Sequence, residues 1–246
     1  SKMFCGCSTN FSNSNTNTCP TCLGLPGSLP SLNKKAIELT AKAGLVLNCQ
    51  INTKTNWDRK QYFYPDLPKG YQTSQFDKPI CFDGFFNIPN TKKQIRISHI
   101  HLEEDAGKII HNGQSEIDLN RAGVPLAEIV TQPDFRSAED VKSWLEELRL
   151  NLIYAGVSDC NMHNGGFRCD VNVNLKIDNL KTSIVEIKNL NSFKFIEKAI
   201  HYEVNRHIEA WEDGIHSTEI VQETRLFDPE KGETRSMRGK EDAADY

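Results

Sequence analysis

The sequence predicts an α+β fold, and three observations carry that expectation. Two long stretches repeat apolar residues at helical spacing, two shorter ones between them alternate polar and apolar residues, and a thiol-rich segment precedes them all. The 246 residues can bury one large domain or two small ones, and 38% hydrophobic with 25% charged residues is ordinary for a globular chain. No stretch approaches the roughly 20 apolar residues of a membrane span, so no membrane partner is expected. The formal charge of −4 excludes a global basic field; a nucleic-acid partner would have to be gripped by a local patch or by further parts.

The first element is a cysteine segment. Cys5-x-Cys7, eleven intervening residues and Cys19-x-x-Cys22 supply four thiols in two close pairs, joined by the polar loop STNFSNSNTNT. Four thiolates about 2.3 Å from a zinc ion would complete a tetrahedron and leave no open position, which makes the site structural. Reduced structural thiols and disulfides are the alternatives. Cys49, Cys81, Cys160 and Cys169 are scattered singly and read as small buried hydrophobes. Thiols used this way imply a reducing compartment, the cytoplasm or an organellar matrix.

A first helix is expected from Asn33 or Lys34, with Ile37, Ala41, Gly44, Leu45 and Asn48 on its packing face. Short strand-prone runs broken by Pro-Asp, Pro-Lys-Gly and Asp-Gly turns fill residues 60–108. A second helix starts at a Ser137/Asp140 cap and buries Val141, Trp144, Leu145, Leu148 and Leu152 before stopping at Gly156. Residues 168–177 should form a strand with Val171, Val173, Leu175 and Ile177 inward and Arg168, Asp170, Asn172 and Asn174 outward. In residues 183–188, Val185 and Ile187 oppose Glu186 and Lys188 in the same way. A third helix runs from a Ser192 cap through Ile196, Ala199, Ile200, Val204, Ile208 and Trp211 to Gly214.

Other phrases are not periodic. His101-Leu-Glu103-Glu104-Asp105-Ala-Gly-Lys108 crowds three acids beside a turn, either as a solvated surface or as a magnesium site. Asp118-Leu-Asn120-Arg121 leads to Glu128, an acid among apolar neighbours that needs a partner. Arg59-Lys60-x-Tyr62-Phe63-Tyr64-Pro65-Asp66 mixes cations with rings, and Arg235-Ser-Met-Arg238-Gly-Lys240 offers cations to phosphate.

Together and in this order, these phrases resemble the B-subunit family of the tRNA-dependent aspartyl/glutamyl-tRNA amidotransferases. Tyr71-Gln-x-Ser-Gln-Phe76, Gly123-x-Pro-Leu-x-Glu-Ile129, Gly156-Val-Ser-Asp159, Arg168-Cys-Asp170, Lys188-Asn-Leu-Asn-Ser-Phe193 and Gln222-Glu-Thr-Arg225 extend the resemblance along the whole chain. It implies a glutamine synthetase-like cradle with an antiparallel sheet over residues 31–246, and a zinc-bound segment over residues 1–30 inserted in it. It implies ATP and Mg²⁺, phosphorylation of the side-chain carboxylate of Glu on tRNA(Gln) or Asp on tRNA(Asn), and displacement of phosphate by ammonia. Subunits A, the glutaminase, and C are the implied partners, with misacylated tRNA as substrate.

By residue, the resemblance assigns Glu104 and Glu128 to magnesium, with Glu103 and Asp105 as neighbours, and Lys60 to the ammonia route. Lys188 joins the catalytic set, while Arg168, Asp170, Asn172 and Glu186 are expected to hold the nucleotide or its metal, with Arg235 and Arg238 on phosphate. Against the family's pattern, Gly-x-Glu-x-His upstream and the helical and tail domains downstream are missing, so the chain reads as an excerpt and is expected to be inactive alone. His163-Asn-Gly-Gly166 stands where the family has two acids, and no archaeal-type insertion is present, which favours the bacterial or organellar type. The competing readings are a zinc module that docks RNA or a protein, and a folded but inactive subunit.

Overall fold

The computed structural model describes residues 1–10, 12–177 and 179–237. It comprises two compact units, one of Ser1–Asn87 with Lys93–Asp134, the other of Ile88–Lys92 with the chain from Phe135 onward. Both mix helices and strands, as expected of an α+β chain.

The first unit runs through α1 (Lys34–Val46), β1 (Gln50–Ile51), β2 (Asp58–Gln61), β3 (Tyr71–Ser74), β4 (Cys81–Asn87), β5 (Gln94–Glu104), β6 (Lys108–Asn112), β7 (Gln114–Asp118) and β8 (Pro125–Thr131). Its main sheet is antiparallel with strand order β1-β4-β5-β8, and β2-β3 and β6-β7 form separate ribbons. Helix α1 begins where Asn33 accepts from the Lys35 amide at 3.0 Å. It ends at Asn48, whose φ of 53° lets the Cys49 amide reach the Gly44 carbonyl at 2.8 Å. The buried face is Ala36, Thr40, Ala43 and Gly44 with Leu47, and Leu45 is 67% exposed, so the stripe expected through Leu45 and Asn48 is corrected. Close approach selects this face: a Cβ on Gly44 would collide with the Cys81 sulfur.

Strand β5 positions the acids through a bulge. Ile97 pairs with Thr131 and His99 with Val130, leaving Ser98 as an extra residue. Alternation therefore changes phase, so that Ile95 and Ile97 before it and Ile100 and Leu102 after it are all buried. The same shift turns His99, His101 and Glu103 together onto the opposite face.

The second unit contains α2 (Ala138–Tyr154), β9 (Val171–Val173), β10 (Lys176–Ile177), β11 (Leu180–Lys181), β12 (Val185–Lys188), α3 (Phe193–Glu212), α4 (His216–Glu219), β13 (Glu223–Asp228) and β14 (Glu233–Ser236). Ser137 and Ser192 cap α2 and α3, and Trp144, Leu145, Leu148 and Leu152 are buried on α2 as expected. Gly156 and Gly214, at φ 64° and 72°, end these helices. The sheet order is β14-β13-β12-β9, with β12 and β13 parallel and the other pairs antiparallel. The expected antiparallel sheet is thus met in the first unit and departed from in the second only at β12–β13, where α3 and α4 carry the chain back across the sheet, which is how parallel neighbours are joined.

Two further expectations change. Residues 168–177 are not one strand, because β9 stops at Val173 and the Leu175 amide instead donates to the Thr182 hydroxyl at 2.8 Å. The polar alternation survives, with Arg168, Asp170, Asn172 and Asn174 all exposed. On α3 the buried residues are Ile196, Ala199, Ile200, Glu203, His207 and Ala210, whereas Ile208 is 39% exposed. The second half of the expected apolar stripe yields to a buried glutamate and histidine.

Candidate metal and carboxylate sites

The cysteine pairs meet. The sulfurs of Cys5, Cys7, Cys19 and Cys22 all lie within 4.8 Å of one another. A tight turn shapes the second pair, with the Leu23 amide donating to Cys19 O at 3.0 Å and the Cys19 amide to Cys22 Sγ at 3.2 Å. The polar loop is docked: Asn15 Nδ2 donates to Ile117 O (2.8 Å), the Leu119 amide to Asn15 Oδ1 (2.8 Å) and the Asn17 amide to Asn120 Oδ1 (2.7 Å). Burial raises the Cys5 and Cys7 thiols. Burial also opposes ionisation of Cys19, but the Cys22 amide and the Cys7 thiol outweigh it and lower Cys19. The donor set suits a tetrahedral thiophilic ion, which needs all four in the thiolate form.

Across β5 and β8, His101 stands opposite Glu128, and Glu103 follows on the same face. His101 Nε2 is 3.5 Å from Glu128 Oε2 and 3.8 Å from Glu103 Oε2, while Ser74 Oγ donates to Glu103 Oε2 at 3.3 Å. Burial disfavours charge on His101, but the two carboxylates prevail and raise it to about 9. The hydrogen bond from His101 correspondingly lowers Glu128, against burial and with help from Lys60 on β2. His99 stacks on His101 with centroids 5.3 Å apart, and burial together with the neighbouring imidazolium lowers it. An open groove of about 520 Å³ adjoins His99, lined in part by Lys54, Phe76, Lys78 and Phe82.

Glu104 points the other way, because neighbouring residues of a strand alternate. Only 2% exposed, it pairs with Lys69 Nζ and accepts from the Thr73 amide at 3.2 Å. The expectation that Glu104 and Glu128 share one ion is corrected in its geometry: His101, Glu103 and Glu128 come together, and Glu104 is behind them. Asp105 lies 3.4 Å from Arg121 Nε, and Arg121 also donates to Ala106 O (2.9 Å) and Gly107 O (2.6 Å), closing the turn.

In the second unit the register sets Asn172, Glu186 and Thr224 side by side, with Lys188 beside Leu226 and Leu226 beside Arg235. These residues share the polar face. Lys188 Nζ is 3.2 Å from Asp170 Oδ2 and 3.3 Å from Glu186 Oε1, and Thr224 Oγ1 donates to Glu186 Oε2 at 2.9 Å. Burial works against charge on Lys188, but these acids raise it. Arg168 is exposed just before β9, Arg235 is exposed on β14, and Arg238 lies outside the described residues.

A family model described as the GatB/GatE catalytic domain matches residues 1–246. The chain belongs to that family. Among curated relatives, a protein of Campylobacter jejuni subsp. jejuni serotype O:23/36 (strain 81-176) is 54% identical over 251 residues, covering 100% of this chain and 53% of the relative. A relative from Helicobacter hepaticus is 55% identical over 251 residues, and one from Geotalea uraniireducens 53% over 258, with the same two coverages of 100% and 53%. Each of the three is named as the B subunit of an aspartyl/glutamyl-tRNA(Asn/Gln) amidotransferase. The chain spans about half the length of these relatives, 53%.

Within this GatB/GatE catalytic domain, sequence reasoning missed four residues that organise the sites. His101 was readable, since a strand period places it with Glu103. Lys69 sits in a Pro-Lys-Gly turn and gives no sign of reaching Glu104. Lys2 is fully buried beside the cysteines. Glu203, buried on α3, is held by Arg225 Nε at 3.0 Å, Arg206 Nη2 at 2.8 Å and the Thr234 hydroxyl, with His207 Nε2 at 3.6 Å.

Proposed function

We propose that this chain carries the kinase and transamidase part of a tRNA-dependent amidotransferase, converting Glu on tRNA(Gln) or Asp on tRNA(Asn) to the amide. The names of its relatives support the substrate class, and one observation supports the chemistry: Glu103 and Glu128 meet across β5 and β8 with His101 between them. In this reading residues 31–246 form the glutamine synthetase-like cradle and residues 1–30 a zinc-bound segment within it. Subunits A and C are its partners in the cytoplasm, and A supplies ammonia from glutamine.

A carboxylate resists amidation because oxide is a poor leaving group. Attack of its oxygen on the γ-phosphorus of ATP releases ADP and forms an acyl phosphate; ammonia then adds at the carbonyl carbon and phosphate leaves. Catalysis of the first step is mostly positioning and charge stabilisation. Glu103 and Glu128 suit magnesium, which is usually held by one or two carboxylates and substrate phosphates, and His101 in its cationic form marks the place where positive charge is stabilised. When bound, magnesium would neutralise charge developing on the phosphoryl oxygens. His99, kept neutral by burial and by His101, is a base on the same face for the proton that ammonia loses. Lys60 lies near enough to influence Glu128 and is assigned to the ammonia route. Asp170, Asn172, Glu186, Lys188, Arg168, Arg235 and Arg238 are assigned to nucleotide and phosphate, and Glu104 to supporting β5.

The test is Glu128→Gln in the full-length protein with its partner subunits. ATP-dependent amide formation on misacylated tRNA should fall by about 100-fold or more, with basal glutamine hydrolysis retained. Unchanged amidation refutes the assignment.

A further inference from the structure

Lys2 is the largest of the fully buried side chains, at 0% exposure. Among the described residues its ammonium has two polar contacts, Cys22 Sγ at 3.5 Å and Leu119 O at 3.3 Å. No carboxylate stands within ion-pair distance of it among those residues. A buried ammonium is strongly unfavourable without a compensating negative charge, and a metal-bound sulfur at Cys22, 3.5 Å away, would supply one. Four thiolates around a zinc ion carry two net negative charges in a partly buried pocket, which is equally unfavourable unless a cation is close. Each group supplies what the other lacks.

We infer that Lys2 is an outer cation of a four-thiolate metal site, hydrogen-bonded to ligand Cys22 and fastening the site to the Asp118–Arg121 turn through Leu119 O. The inference rests on the zinc reading given above. It also gives that turn a physical purpose. The Met3 amide donates to Gly123 O at 2.8 Å, and Asn15 and Asn17 hold the same segment from the other side of the loop. Arg121, at the end of the turn, joins it to Asp105 on the segment that follows β5. Contacts therefore run from Cys22 through Lys2, the turn and Arg121 to the segment at the end of the acid-bearing strand.

A cation on a metal-bound thiolate stabilises the sulfur lone pair, so its removal weakens binding and lowers the energy of sulfur-to-metal charge transfer. Outer-shell partners of this kind are worth about 10–100-fold in metal affinity. The experiment compares Lys2→Met and Lys2→Arg with the parent in the full-length protein, by zinc competition with a colorimetric chelator and by the charge-transfer band after Co²⁺ substitution. Lys2→Met should bind zinc about 10–100-fold more weakly with a red-shifted cobalt band, and Lys2→Arg should stay near the parent. If Lys2→Met does not fold, Lys2→Gln, which keeps a donor for Leu119 O without the charge, is read in the same two ways. Failure of both neutral variants beside a folded, zinc-loaded Lys2→Arg counts for the charge. Parent-like zinc affinity and an unshifted band in either neutral variant overturn the inference while leaving the zinc reading intact. A parent protein that holds no zinc overturns both.

Discussion

Each unit places acids on both faces of a four-stranded sheet, and the two sheets neutralise them differently. Among the described residues, Glu104 behind the first sheet has one cation, Lys69, and Glu203 behind the second has Arg206, Arg225, Thr234 and His207. In front, Glu103 and Glu128 share a histidine, whereas Asp170 and Glu186 share a lysine. A lysine keeps its proton across the physiological range, but an imidazolium raised to about 9 can still release one to make way for a metal. In the proposed reading the first front face is the one that would exchange its cation for a metal, and the second keeps its ion pairs for a polar ligand. Partner chemistry, more than the number of acids, separates a metal candidate from structural charge.

The comparison breaks most directly at the cations behind the sheets. Lys69→Met leaves Glu104 buried without a positive partner, and loss of about 3–5 kcal/mol is expected in urea denaturation. Arg206→Met leaves Glu203 with Arg225, Thr234 and His207, so its loss should be distinctly smaller. Equal losses would show that the two glutamates do not differ in the way their contacts suggest.

Acid sharpens the same contrast. Burial opposes the charge of Glu203, but His207, Thr234 and Arg206 prevail and hold its carboxyl at about 2, below the ordinary 4.5. A depressed carboxyl contributes stability that is full above the unfolded value and lost as pH falls toward the folded one. The contribution is about 3 kcal/mol. Between about pH 6 and about pH 2.5, Glu203→Gln should therefore lose less stability than the parent. A parallel decline, followed by urea midpoints, would remove Glu203 from the acid response.

What was legible in the sequence follows from which forces leave a pattern. Ser137, Ser192, Gly156 and Gly214 mark helix ends because caps are local chemistry, and they stand where the sequence predicts them. Helix α1 was misread because its face is chosen by closeness: Ala36, Ala43 and Gly44 are small, and the larger Leu45 faces out. The end of α3 was misread because Glu203 and His207 replace apolar residues in the core: Arg225 and Thr234, from strands later in the chain, meet Glu203, and Thr182 meets His207 Nδ1 at 2.9 Å. The four cysteines were legible as a cluster because metal-type spacing survives in sequence. The acids were legible only as a group: the two-residue strand period sends Glu103 and Glu104 to opposite faces, but the bulge at Ser98, which puts His101 and Glu103 on the face opposite Ile95 and Ile97, has no sequence mark.

The smallest effect tests how the first sheet ends. Strand β4 begins at Cys81, opposite Ile100, so β5 continues beyond its neighbour on that side. Two amide side chains take the missing strand's place: the Leu102 amide donates to Gln75 Oε1 at 3.1 Å, and Gln72 Nε2 donates to Glu104 O at 2.8 Å. The second sheet needs no such device at β12, which has strands on both sides. Gln75→Ala strands a buried donor, and a cost of about 1–3 kcal/mol is expected. Its particular signature is faster hydrogen exchange at Leu102, next to His101, with little change at Ile187 in β12. Unaltered protection at Leu102 would mean that the edge is closed by something other than Gln75, and that the glutamine motif between Tyr71 and Phe76 is held for the acids in front rather than for the strand.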